Sequence, residues 1–200
     1  MSTIDRRDLL RKFIAAPIAA SFAFTEAQAQ QARTAAKTAG YVPKFFTAHE
    51  WSTVRALADI VIPKDDRSGS ASDAAVPEFM DFILQDPLAE RQPRERNQTR
   101  MRGGLAWLDL ECSRRFSGKT FLELSETERT SILDAIAYPK KATPEMSAGV
   151  AFFNAFRDLT AAGFFSSKQG VADLQFKGNT YAPDWNGCPP EVLKKIGLDG

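Results

Sequence analysis

Few side chains in this sequence could carry out chemistry, and their number limits the kind of site the chain can build. Among its 200 residues are one histidine, His49, and two cysteines, Cys112 and Cys188. This set cannot form a two-histidine metal site, a haem attachment motif or a thiolate cluster. The sequence also lacks a dinucleotide-binding glycine motif, a phosphate loop and a nucleophile elbow. We therefore expect no catalytic residue, no metal and no cofactor in this chain, and His49 is interpreted as a solvated or capping residue.

An acidic loop is the other candidate for a ligand site. Asp65, Asp66 and Asp73 lie between Pro63 and Ala75, in a segment rich in Ser and Gly. The three carboxylates lack the ligand spacing and the central glycine of a calcium-binding EF-hand loop. The pattern therefore predicts a turn-rich connection without a metal ion.

The two cysteines allow three states. A disulfide between Cys112 and Cys188 would join the end of a helix to the C-terminal tail and close a long loop. Alternatively, Cys112 is a buried, reduced core residue, or Cys188 forms a bridge to another protein. Sequence spacing does not choose among the three states.

The N-terminus resembles a twin-arginine signal peptide. An arginine pair precedes two leucines, an apolar run covers residues 13–24, and an Ala-Gln-Ala site follows. The run is shorter than the roughly 20 residues that span a bilayer, which favours a cleavable signal. We expect residues 1–29 to be the signal, cleaved after Ala29, and the protein to be exported in folded form to the periplasm. The signal residues are Arg6, Arg7, Leu9, Leu10, Ala27 and Ala29.

Charge and length restrict the mature chain further. Removing residues 1–29 takes away four basic and three acidic side chains and leaves 22 of each. A mature chain with no net charge gives no indication of nucleic-acid binding, which requires a basic excess. The remaining length of about 170 residues suits a single domain.

Helical patterns fill most of the mature sequence. Capping boxes begin helices at Thr47 and Ser125, and Thr143-Pro144 predicts another helix start. A long helix is expected from about Ala89 to Phe116, with a kink at Gly103-Gly104. The predicted fold is all-α: one compact helical domain over residues 44–168, after a linker at 30–43.

The C-terminal segment breaks this pattern. Residues 169–200 alternate glycine, asparagine, proline and aromatic side chains. We expect an irregular tail that either wraps its own domain or lies across a partner. The candidate partner contacts are Phe164, Phe165, Tyr181 and Trp185.

Several of these motifs occur together in one known family. Phe46-Thr47-x-x-Glu50, Leu57-Ala58-Asp59-x-Val61-Ile62-Pro63, Ala75-Val76-x-x-Phe79, Gly163 to Ser167, Gly178-Asn179 and Gly187-Cys188-Pro189 follow one another in this order. Together they resemble the gluconate 2-dehydrogenase subunit 3 family, over nearly the whole mature chain.

The resemblance implies a non-catalytic small subunit of a membrane-associated sugar or polyol dehydrogenase. In such complexes FAD is bound by a large subunit of the glucose-methanol-choline type, and a third subunit is often a multihaem cytochrome c. The implied partners are therefore the flavin subunit, the cytochrome where one is present, and the twin-arginine translocon. The implied location is the periplasm, peripheral to the inner membrane. The substrate would be determined by the large subunit.

Two other functions stay open at the level of sequence. An independent periplasmic enzyme would be active without a partner. A small-molecule binding module would use the Phe-rich helix and the aromatic tail to line a pocket.

Overall fold

Seven α-helices make up the described part of the chain, residues 41–86, 90–176, 178 and 187–197 of a computed structural model. They are α1 (Ala48–Val61), α2 (Val76–Gln85), α3 (Arg91–Arg115), α4 (Glu126–Ala137), α5 (Ser147–Phe165), α6 (Lys168–Asp173) and α7 (Pro190–Lys195). Short 3-10 turns at Phe121–Glu123 and Pro144–Met146 precede α4 and α5. The described residues contain no strand, and the all-α prediction is confirmed.

The predicted capping boxes begin α1 and α4. The Thr47 hydroxyl accepts the Glu50 N–H at 3.3 Å, and the Glu50 carboxylate accepts the Thr47 N–H at 2.8 Å. Ser125 and Glu128 make the same reciprocal pair at 3.4 and 2.7 Å. Each pair satisfies two backbone donors that a helix start leaves without partners. The N–H of Ser125 also lowers the pKa of Glu128.

Helix α5 is the centre of the fold and contacts α1, α2, α3, α4 and α6. Because it is surrounded by neighbours, its buried positions are not confined to one narrow stripe. They are Gly149, Phe152, Phe153, Ala155, Phe156, Leu159, Thr160, Gly163 and Phe164.

Helices α3 and α5 pack antiparallel through two glycines. A Cβ atom on Gly104 of α3 would lie 1.9 Å from the Phe152 ring. A Cβ on Gly149 of α5 would lie 2.1 Å from the Trp107 ring. Each helix therefore offers a glycine where the other presents an aromatic ring, and no larger residue fits without moving that ring. Gly103, by contrast, has open space around its Cβ position.

Some boundaries differ from the sequence expectations. Helix α3 runs as one element, as expected, but from Arg91 to Arg115, slightly shorter than the expected span. The α-helix after Thr143 begins at Ser147, because Pro144–Met146 forms a 3-10 turn first.

Some described features lie beyond the bounds of the predicted helical domain. Tyr41 belongs to the predicted linker, yet it is bound to the helical body. The predicted tail contains α6 and α7, and α6 starts where the Ser167 hydroxyl accepts the Gly170 N–H at 3.0 Å. The stabilisation from this N-cap offsets the low helix propensity of Gly170 within α6. None of the helices in the described ranges has the length and apolar character needed to cross a membrane.

Candidate interaction surface

A buried carboxylate attaches the N-terminal end of the described chain to the helical body. Asp81 of α2 is completely buried. Its oxygens accept five hydrogen bonds of 2.6–3.2 Å, from Tyr41 Oη, the backbone N–H groups of Lys44, Phe45 and Phe46, and Gln85 Nε2. A buried charge is stable only when it is paired or hydrogen-bonded, and Asp81 has donors on both oxygens. We call this arrangement the Asp81 clamp.

Tyr41 is part of the Asp81 clamp and shows how closely the clamp holds the chain. Burial, followed by the hydrogen bond to Asp81, raises the pKa of the Tyr41 phenol well above its ordinary value. Its ring stacks on Trp51 of α1 with centroids 5.6 Å apart. The clamp therefore fixes the point at which everything before Tyr41 joins the folded domain. The predicted signal residues Arg6, Arg7, Leu9, Leu10, Ala27 and Ala29 lie outside the described residues.

His49 is paired with a carboxylate that sequence analysis did not identify. Its Nε2 lies 2.6 Å from Asp109 Oδ2 on α3, and Asp109 Oδ1 accepts the Phe121 N–H at 2.9 Å. The pair joins α1, α3 and the first 3-10 turn. None of the described hydroxyl or thiol groups hydrogen-bonds to the His49 ring. The arrangement acts as a link between elements.

The two cysteines lie in different surroundings. Cys112 is completely buried in the core, whereas Cys188 is exposed, and both are free thiols in this structure. Burial, with smaller contributions from Asp109 and Glu111, raises the pKa of the Cys112 thiol to about 12. A buried thiol with a raised pKa is unreactive. A Cys112–Cys188 bridge would require Cys188 to enter the core, and the disulfide stays a prediction.

The carboxylates of the acidic loop bind the loop's own backbone. Asp65 Oδ1 accepts the N–H groups of Arg67 and Ser68 at 2.9 and 2.8 Å, and these bonds lower the pKa of Asp65. Asp73 Oδ2 accepts the Ser70 N–H at 3.0 Å. Within the described ranges, no three His, Cys, Asp or Glu side chains are grouped so that they could hold a metal ion. These aspartates stabilise turns, which is their common use in loops.

The corner between α5 and α6 combines a tight backbone contact with exposed apolar side chains. A Cβ on Gly170 would lie 2.1 Å from the carbonyl oxygen of Phe164, so α6 packs directly on the end of α5. Leu174 lies one turn beyond Gly170 on the same helix face. Phe165, Leu174 and Phe176 are 40, 56 and 68% exposed. We call these three residues the corner patch.

Backbone hydrogen bonds hold Phe176 at this corner. Its N–H donates to Val171 O at 3.2 Å, and the Gln175 N–H donates to Ala172 O at 3.0 Å. This is the Schellman pattern that ends a helix, with Gln175 in the left-handed conformation at φ 54°. A residue other than glycine there costs about 1 kcal/mol. The exposed ring is therefore presented by an ordered turn.

Arg67 fixes the other side of the same corner. Its guanidinium donates to the Asp173 carbonyl at 2.6 Å and lies 3.0 Å from the Asp173 carboxylate. The acidic loop and the C-terminal end of α6 are joined by this contact. The corner patch thus rests on a framework tied to both α5 and the loop.

The four predicted partner contacts have different outcomes. Phe165 is exposed, whereas Phe164 is a core residue at 1% exposure and leaves the set. Tyr181 and Trp185 lie outside the described residues. Leu174 and Phe176 were missed because neither belongs to a motif and their exposure depends on the helix turn.

The comparison with known families agrees with the motif resemblance. The chain matches the family described as Gluconate 2-dehydrogenase subunit 3 over residues 48–183. It belongs to this family. No curated protein and no solved structure matches the chain significantly. The family description names one subunit of a dehydrogenase, which favours association with other subunits.

The family match covers the helical body and excludes both ends of the chain. It starts at Ala48, the first residue of α1, and includes α1 to α6. The corner patch and Asp81 lie inside the match. The arginine pair and Cys188 lie outside it, so family membership does not bear on the export signal or on a disulfide.

Two features bear on the small-molecule alternative. The Phe-rich helix α5 directs Phe152, Phe156 and Phe164 into the core, where each is at most 2% exposed. A depression of about 480 Å³ lies on the solvent-facing side of α4. Its lining consists of polar or charged residues, Glu126, Thr127, Thr130, Ser131 and Asp134. An enclosed, mostly apolar site is typical of ligand pockets, and this depression is neither enclosed nor aromatic.

Proposed function

We propose that this chain is the non-catalytic small subunit of a periplasmic FAD-dependent sugar or polyol dehydrogenase of the glucose-methanol-choline type. It binds the flavin subunit, and its twin-arginine signal exports the two proteins together. Where a third subunit is present, it is a multihaem cytochrome c that receives the electrons. The complex is peripheral to the inner membrane.

The corner patch is the structural observation that supports this proposal. Three large apolar side chains are exposed on a corner held by a helix cap and by Arg67. Ordered, exposed apolar side chains are characteristic of protein interaction sites, where aromatic anchors contribute much of the binding energy. The family description adds that related chains are dehydrogenase subunits.

The export route follows from where FAD becomes available. FAD is made in the cytoplasm, so a flavin enzyme must fold there before it crosses the membrane. The twin-arginine route carries folded proteins, and one signal on a bound subunit serves both chains. The Asp81 clamp fixes the point, at Tyr41, where the signal-bearing segment joins the body that carries the corner patch.

Coexpression with the flavin subunit tests the export proposal. Replacing Arg6 and Arg7 by Lys should leave both proteins in the cytoplasm, as measured by flavin content and dehydrogenase activity in the periplasmic fraction. Arg11→Lys, outside the arginine pair, is the matched control and should export normally. Undiminished export of the flavin subunit with the double variant would contradict the escort role.

The corner patch has its own test. Phe165→Glu combined with Phe176→Glu should abolish copurification with the flavin subunit, because two charges would be buried without partners at the interface. Leu110→Glu is the control, since Leu110 of α3 is as exposed as Phe176 at 68%. All variants should keep the wild-type melting temperature. Dehydrogenase activity from the purified small subunit alone would instead support the independent-enzyme alternative.

A further inference from the structure

The first ten residues of α3 form a helical arm whose side chains are exposed or half-buried. Every buried residue of α3 lies at Met101 or later, and none lies in residues 91–100. Two hydrogen bonds attach the arm to the end of α2. Gln98 Nε2 donates to the carbonyl of Leu84 in α2 at 2.6 Å, and the Arg94 guanidinium donates to the carbonyl of Asp86, just after α2, at 3.1 Å. Helices of this length are marginal in water without packing. The packed second half of α3 supports the arm.

The arm and its base carry a concentrated positive charge. Residues 91–102 contain five arginines, no lysine and one acidic residue, Glu95. Arg91 pairs with Glu95 at 2.8 Å, and Arg102 donates to the Phe45 carbonyl at 2.6 Å. In the described part of the chain, neither Arg96 nor Arg100 lies within ion-pair distance of a carboxylate.

This charge arrangement works against the isolated helix. Arg96 and Arg100 are four residues apart, so two like charges lie on one face and repel. The first turn of α3 has no acidic residue, although acidic residues are the favourable ones there. Natural sequences rarely keep local conflicts that have no compensating role. The described residues offer Arg96 and Arg100 no carboxylate within ion-pair distance, and we expect a partner protein to supply one.

We infer that this arm, residues 91–100 of α3, is a docking surface for a carboxylate-rich face of the flavin subunit. The inference rests on the proposed function and adds a second contact to the corner patch. Arginine suits such a partner because its planar guanidinium binds a carboxylate through two parallel hydrogen bonds. Gln92, Asn97 and Thr99 lie between the arginines and supply further polar contacts.

Two other anionic partners fit the arm less well. Membrane-surface helices carry an apolar face opposite the basic one, and residues 91–100 contain no large apolar side chain. Nucleic-acid binding relies on a net basic protein, whereas the chain after residue 29 carries equal numbers of basic and acidic side chains.

Binding of the purified flavin subunit to the full chain tests the inference. Arg96→Glu with Arg100→Glu should weaken binding about 100-fold at low salt, because attraction becomes repulsion at both sites. Lys64→Glu with Lys140→Glu is the matched control, with the same change of net charge at exposed positions elsewhere, and should change affinity less than about threefold. Wild-type affinity should fall as salt is raised, and Arg96→Gln with Arg100→Gln should remove most of that dependence. Melting temperatures should stay within about 2 °C of the wild-type value.

The possible outcomes distinguish failure of this inference from failure of the proposed function. Wild-type binding that the arm substitutions leave unchanged would overturn the inference and leave the proposed function intact. A wild type that does not bind the flavin subunit would overturn both. Arm-dependent binding to phosphatidylglycerol vesicles or to RNA, with flavin-subunit binding unaffected, would reassign the arm to those partners. Concentration-dependent self-association lost with the same substitutions would reassign it to a second copy of this chain.

Discussion

The two halves of α3 belong to one continuous helix but contribute to the protein in different ways. From Met101 onward, six residues are buried, spaced three or four apart or adjacent along one face. In residues 91–100 none is buried and arginine is the most frequent side chain. The comparison shows that a helix needs packing along only part of its length, and that the packed part can carry an arm whose side chains are available to a partner.

The largest expected effect tests the packed half. Gly104→Ala should destabilise the protein by about 2–3 kcal/mol, because its Cβ would overlap the Phe152 ring near the ring's attachment point. Gly103→Ala should instead stabilise it by about 0.5–1 kcal/mol, since that position is open and alanine is the better helix former. Urea denaturation measures both. Equal effects at the two neighbouring positions would show that the two-glycine packing does not determine stability.

The next effect concerns the Asp81 clamp, which holds Phe45 next to Arg102, at the boundary between the two halves of α3. Asp81→Asn should cost about 2 kcal/mol, because an amide nitrogen would face the Lys44 N–H and two donors would meet in a buried site. Asp134→Asn, on the exposed face of α4, is the control and should change stability little. Hydrogen exchange at Phe45 and Phe46 should accelerate only in the Asp81 variant. Unchanged exchange there would contradict the role of the clamp.

A smaller effect distinguishes the two acidic residues of α2. Unlike Asp81, Glu78 has a buried carboxylate oxygen without a hydrogen bond, and burial raises its pKa. A raised pKa favours the protonated form in the folded state, so this stabilising contribution is complete below the ordinary glutamate pKa and is lost as the pH rises through the raised one.

Glu78→Gln should therefore be more stable than wild type at pH 7, by about 1 kcal/mol or less. The difference should vanish near pH 3, where both side chains are neutral. Melting temperatures measured at both pH values provide the check. A difference that is independent of pH would mean that packing, and not ionisation, separates the two proteins.

The smallest effect concerns the arm itself. Arg96→Gln with Arg100→Gln should stabilise the free protein by about 0.3 kcal/mol, because it removes a like-charge pair. Arg91→Gln should destabilise it by a similar amount, because it removes the pair with Glu95. Thermal melts at low salt resolve the sign, and both differences should disappear in 1 M salt. A destabilised double variant would indicate that the two arginines support the fold.

Sequence patterns predicted the elements with local causes. The starts of α1 and α4 followed from capping boxes whose partners are three residues apart, so a short window contains all the necessary information. The beginning of α6 was missed because its N-cap, Ser167, is followed by a glycine that tertiary contact makes acceptable.

Sequence patterns could not predict contacts between residues that are far apart in the chain. Asp81 stands in an apolar run, and four of its five hydrogen-bond donors lie 35 to 40 residues earlier in the chain. Asp109, the partner of His49, is 60 residues away. Phe164 and Phe165 are neighbours in sequence, yet one is buried and the other exposed.

By itself the sequence determined the all-α class, the starts of α1 and α4 and the signal-like arginine pair, because each depends on side chains close together in the chain. It determined the family through motifs spread along the chain. Only the tertiary structure decided which carboxylate anchors the N-terminal end, which glycines admit aromatic rings and which half of α3 is left outside the core. Burial and hydrogen-bond partners depend on how helices pack against one another, and helical periodicity leaves that packing undetermined. The surfaces proposed for the partner therefore became visible only once the core had been assigned.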